Sequence, residues 1–207
     1  MPMKEKNIDY FNIEGTPGGN QDWCTDFWMH LGGCGALAAC DMAICLKKNK
    51  GDKNVIPYDP DHMTKQEYLN LSMTMKPYIH PRLGGVTKLH YYTDGFGKYL
   101  RERGYQVSFH TLSGNEPYEK AAAFVKESID RNLPVAYLML RHKDPEFEDL
   151  NWHWFMITGY SYDEQGRMFL TYHTYGEVEK VDFEKLWNTG MYFRGGLVSM
   201  DQVTGAA

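Results

Sequence analysis

The 207-residue chain contains no apolar run approaching the roughly 18 residues that a membrane-spanning helix requires. It carries no basic excess: 22 Lys and Arg stand against 27 Asp and Glu, a formal net charge of -5. Nucleic acid and anionic lipid are therefore excluded as expected partners, because neither meets an attracting field. Met1 to Asn7 is polar and charged, with no apolar stretch behind it, so no secretory leader is read and a cytoplasmic protein is expected. Repeats, heptads and low-complexity tracts are missing. Cysteine is scarce. The four thiols, Cys24, Cys34, Cys40 and Cys45, all fall in the first quarter, which excludes a disulfide framework tying distant segments. With no C-x-x-C and no closely spaced histidine pair, a zinc site is not expected either.

What is present suits a folded domain. Hydrophobic residues make up 43% and aromatics 14%, enough for a substantial core and for half-buried walls of a cleft. Gly35 to Lys48 is rich in small helix formers and ends in basic residues, which predicts a helix buried on several faces. Residues 64–75, 86–103 and 117–132 read as further helices, with Pro117 suited to a first turn. Gln106–Leu112 and Leu133–Leu140 read as strands. Trp152–Tyr162, Arg167–Tyr175 and Met191–Met200 are aromatic and β-branched, the first two joined across Asp163-Glu164-Gln165-Gly166 as a hairpin. Gln202–Ala207 reads as a loose tail. The order is α+β, one domain over 1–207, with a helical part at about 20–132 and a sheet part at about 133–200.

Two residues stand out chemically. Cys34 lies in Gly32-Gly33-Cys34-Gly35, where a helix start supplies unpaired N–H groups and the positive end of the macrodipole. Gly33 and Gly35 would leave room for a substrate carbonyl, and the Cys34 N–H could donate to an oxyanion. An inert core thiol fits the same turn. Cys40 and Cys45, mid-helix among apolar neighbours, read as core. His153 opens a strand in Asn151-Trp152-His153-Trp154-Phe155-Met156-Ile157-Thr158-Gly159-Tyr160 and shares a face with Phe155 and Ile157. There it needs a partner, either catalytic or structural. The acidic stretch Asp144–Asp149 reads as a solvated loop, or as a rim that prefers basic residues.

Read together, Gly-Gly-Cys-Gly-x-x-Ala opening an early helix and a distant His-Trp-Phe-Met-Ile-Thr-Gly-Tyr strand resemble the papain-like cysteine peptidases. The likeness is closest to the bacterial branch similar to double-glycine (bacteriocin-leader) peptidases, and it covers both segments and their order but not residues 50 to 130. It implies a papain-like fold and a thiol hydrolase cleaving peptide or amide bonds, with Cys34 as nucleophile and His153 as base. No metal or organic cofactor is implied, and the partner is a peptide or protein substrate. The family also implies a glutamine on the oxyanion, for which Gln21 is the candidate if the loop 23–33 folds back. The residue that orients the imidazole falls at His173, where the family has asparagine. A Tyr162–Arg167 hairpin register would instead put Thr174 on the face of His153, and a one-residue bulge would reverse that. Asp149 and Asp182 are in reserve. Acyl transfer or deamidation on the same pair, and a degenerate binding module, are the other readings.

Overall fold

The structure, a computed structural model, describes residues 5–205, and side chains as far as Met200. Short strands β1 (Glu5–Asn7), β2 (Asn12–Ile13) and β3 (Thr16–Pro17) precede helices α1 (Phe27–Gly32), α2 (Cys34–Lys50), α3 (Lys65–Met75) and α4 (Leu89–Arg101). Then follow β4 (Tyr105–Ser113), α5 (Tyr118–Asp130), β5 (Val135–Met139), β6 (His153–Tyr162), β7 (Met168–Thr174), β8 (Glu177–Asp182), α6 (Phe183–Trp187) and β9 (Gly195–Gly205). The main sheet runs β4-β9-β5-β6-β7-β8, with β1 also on β6, and its pairings are antiparallel. The fold is α+β, the N-terminal helices packing against the C-terminal sheet. Among the described residues no helix is long and apolar enough to cross a membrane.

The composition of α2 explains its place. Every residue from Cys34 to Leu46 is buried, and only a helix of Ala, Gly, Cys and a few larger apolar groups can be approached from all sides. α2 packs on the side of β6 that carries Trp154, whose ring stacks on Tyr92 of α4 at 4.7 Å and donates to the Val86 carbonyl at 2.7 Å. Tyr137 and Phe155 face the other side, where Trp187 of α6 meets Tyr137. α5 joins them there through the Tyr160–Asp130 hydrogen bond.

Several expectations need correction. Gln202 to Gly205 is not a loose tail: these residues continue β9 and pair with β4 as far as Tyr105↔Gly205, while Ala206 and Ala207 lie outside the described residues. Pro117 is the N-cap of α5 rather than a residue of its first turn. The acidic stretch is solvated as expected, with Glu146, Glu148 and Asp149 exposed, but it is ordered as a 3-10 turn, Pro145–Leu150, and Lys185 pairs with both Asp144 and Glu146.

α1 ends one residue before the helix that matters. Its N-cap Asp26 accepts from Met29 N–H at 3.0 Å and pairs with Lys76 at 2.7 Å. Asp26→Ala is expected to cost about 1–2 kcal/mol, the usual worth of a cap plus a partly exposed ion pair. A urea midpoint unchanged from wild type would show that the cap carries no stability.

Candidate active site

The chain passes from α1 to α2 in a single residue. Gly33 donates to the Met29 carbonyl at 3.0 Å, closing α1, while its own carbonyl accepts from Leu37 at 2.9 Å, opening α2. A Cβ on Gly33 would stand 2.3 Å from the Met29 carbonyl oxygen, so only glycine permits the turn. A Cβ on Gly35 would come within 3.2 Å of Val86 and 3.4 Å of Trp154. Both glycines thus serve packing; the room expected there for a substrate carbonyl is filled by protein. The turn makes Cys34 the first residue of α2, its side chain only 5% exposed.

His153 opens β6 directly after Trp152, whose backbone is left-handed at φ 58. Its Nε2 lies 2.6 Å from Thr174 Oγ1 at the end of β7. Nδ1 lies 3.5 Å from the Tyr175 hydroxyl, and the Tyr175 ring is stacked on the imidazole at 4.7 Å and 7°. The hairpin starts at Tyr162↔Met168, one residue away from the expected Tyr162–Arg167 register. A bulge between Ile157 and Gly159 then shifts it, giving Met156↔His173, and continuing that register sets Thr174 opposite Phe155. Turn and bulge offset one another, so Thr174 does reach the face of His153.

His173 does not meet His153. Its ring packs on Tyr10 at 4.1 Å, and its buried Nδ1 has no hydrogen-bond partner. Asp182 caps α6 by accepting from Lys185 N–H at 3.1 Å. Asp149 lies in the 3-10 turn on the far side of Tyr175. Among the described residues neither carboxylate bonds the imidazole.

Gln21 begins a 3-10 turn capped by Asn20, and the segment 23–33 folds back over it. Its Nε2 donates to the His30 carbonyl at 2.7 Å. Cys34, His153, Gln21, Thr174 and Tyr175 then line one cavity of about 30 Å³, which extends past Leu37 and Ala38 to Asp41 and Tyr68. A larger hollow of about 610 Å³, bounded by His142, Asp144, Asp182 and Lys185, holds ion pairs and no thiol. Among the described residues no group of three or more His, Cys, Asp or Glu could hold a metal ion.

Burial governs the electrostatics. It pushes the Cys34 thiol up, outweighing the N–H groups of Trp154, Gly35 and Cys34 itself, which pull it down. It also pushes His153 down to about 4. Thiol and imidazole are both neutral around pH 7, not a preformed ion pair. No hydrogen bond joins them directly among the described residues, although the thiol lies against the Trp154 N–H beside His153 and both side chains line the same cavity.

One functional candidate was not singled out in the sequence. Asp41, two turns along α2 from Cys34, is 8% exposed. Its carboxyl accepts from the hydroxyls of Tyr10 and Tyr68, both at 2.8 Å. Burial, only partly countered by those two bonds, raises it to about 7. A single acid amid Ala, Cys, Met and Ile was the available signal.

Compared with known proteins, the chain matches no family model and no curated protein.

Proposed function

We propose that this protein is a thiol-dependent hydrolase of the papain-like kind, acting on a peptide or amide bond. The observation that supports it is that the helix-start thiol of Cys34 and the strand-start imidazole of His153 line one cavity although 119 positions separate them in the chain. Cys34 attacks the substrate carbonyl to form a thioester. His153 takes the thiol proton and later returns it to the leaving amine. Nε2–H donates to Thr174, which fixes the tautomer and leaves Nδ1 free as the acceptor. The Cys34 N–H faces the developing oxyanion. Gln21 has one amide hydrogen on the His30 carbonyl and a second for the cavity.

Because both groups rest neutral, His153 takes the proton as the thiol attacks an electrophile, whether substrate carbonyl or alkylating agent, rather than beforehand. Water that resolves the thioester makes the enzyme a hydrolase, and a competing amine separates this from acyl transfer.

Limited iodoacetamide treatment at pH 7 with peptide mapping tests the nucleophile. Cys34 is expected to be alkylated at least about tenfold faster than Cys24, Cys40 and Cys45, and to lose that advantage in His153→Ala. Equal labelling of all four thiols would falsify the reading and leave the cleft a binding module.

A further inference from the structure

Beyond Thr174 and Tyr175 lies a hollow that the proposed reaction does not use. These two residues line both the catalytic cavity and this second space of about 310 Å³, at the lower end of the range for small-ligand pockets. Tyr175 is fixed as the wall between them. Its backbone is left-handed at φ 50, Asn20 Nδ2 donates to its carbonyl at 2.8 Å, and Gly176 N–H donates to the Gly19 carbonyl at 3.1 Å. Strand register builds much of the rest. The pairs Thr174↔Glu177 and Tyr172↔Glu179 set both glutamates on the face of the sheet that carries His153. The 3-10 turn adds Asp149 to the same hollow, and buried Phe147, Leu150 and Tyr172 give it an apolar lining. Glu146 lines it too but is paired with Lys185, whereas Asp149, Glu177 and Glu179 make no ion pair among the described residues. Lys180 is the one basic residue in the lining, and strand alternation turns its side chain to the other face of the sheet. The negative field reaches the lining: burial first, then Glu179 and Glu146, raises Tyr172 to about 12.

We infer that this hollow is a substrate subsite, which takes the lysine or arginine side chain of a residue close to the scissile bond. The inference rests on the thiol-hydrolase reading above and adds the class of peptide that is cleaved. The fit is one of shape and sign. The apolar lining suits the methylene stem of either side chain, and the exposed carboxylates suit its cationic head. Charge selects this occupant over the others. An acidic side chain would add a further negative charge to three unpaired ones, and an apolar one would cover carboxylates that nothing then pairs. A metal ion is not the cation, because among the described residues no three such side chains converge as ligands. Thr174 sets the position: it lies 2.6 Å from His153 Nε2 and lines the hollow at the same time. A side chain seated there belongs to a residue within about two positions of the carbonyl under attack.

Cleavage of a fluorogenic peptide library by the full chain tests the subsite. Lysine or arginine at one position is expected to raise kcat/KM about tenfold over glutamine there, since a partly exposed ion pair is worth a few-fold at most and three carboxylates act together. In a variant carrying Asp149→Asn, Glu177→Gln and Glu179→Gln, that ratio is expected to fall to about twofold or less. The ratio is the readout, so a general change in rate does not imitate the result. Cleavage without the preference, or with a preference that the three substitutions leave intact, overturns the subsite while the Cys34–His153 pair stands. A measurement without turnover separates the two readings. Nα-acetyl-arginine amide, titrated into Cys34→Ala protein, is expected to move the backbone amide resonances of Thr174 and Glu177, and to stop doing so once the three substitutions are added. If no library member is cleaved yet those resonances move, the hydrolase reading falls and the hollow remains a site for a basic side chain. If they do not move, the subsite falls whatever the enzyme cleaves.

Discussion

Cys34→Ala is expected to lower kcat/KM for the best substrate of a peptide library by about ten-thousand-fold or more, and His153→Ala by a similar factor. The double variant is expected to be no worse than either single one. A thiol that cannot lose its proton and a base with no thiol to serve are the same defect, so their costs do not add. Thr174→Val, which keeps the shape and removes the hydroxyl, should cost less. It loosens the imidazole without removing it, and threonine brings no charge to stabilise the imidazolium. The check is steady-state kinetics on the four variants with folding confirmed by circular dichroism. Cleavage that survives Cys34→Ala at the wild-type rate means the activity belongs elsewhere.

The second large effect concerns stability. Asp41 titrates near 7 in the fold against an ordinary 3.8. Its folded value is raised, so its contribution to stability is fully present below about pH 4 and is lost as pH climbs through 7. Three units correspond to about 4 kcal/mol. His153 and His173 act in the opposite sense. Burial depresses both to about 4, so the stability linked to them is present above about pH 6.5 and lost as pH falls through 4. Two depressed histidines against one raised carboxyl make stability climb from pH 4 to about 6.5 and decline slightly above it. Asp41→Asn removes only the carboxyl limb. Relative to wild type it is expected to gain about 4 kcal/mol between pH 4 and pH 8, read from urea midpoints at the two ends. Parallel wild-type and variant curves would show that Asp41 does not titrate with folding.

The sequence exposed those parts of the molecule whose burial is patterned. α2 was legible because a helix surrounded on all sides must be built from small residues, and 34–50 is. β6 was legible as an aromatic run, and the hairpin that follows it as two such runs about a turn. β8 was not. Glu177-Val178-Glu179-Lys180 is exposed on both faces at the sheet edge, so no alternation of apolar and polar residues marks it. α1 was seen only as a cluster of large apolar groups, because six residues are too few to display a helical period.

The site divides the same way. Cys34 and His153 are set by local motifs, a glycine turn before a helix and a polar group in an apolar strand. The choice between His173 and Thr174 depends on a bulge that no residue type announces. Tyr175 was visible as a letter beside them. Its place over the imidazole follows from a left-handed backbone and two anchors more than 150 residues upstream in the chain, and neither has a local signature.

The bulge at Thr158 also sets how much length the hairpin can spare. The turn between Tyr162 and Met168 is one residue longer than a regular ladder would need, and the residue looped out at 158 absorbs the difference. A chain shortened by one residue in that turn could draw Thr158 into the ladder and still present Thr174 to His153. Insertions and deletions at the distal end are thereby insulated from the chemistry, a tolerance that the single-residue junction at Gly33 does not share.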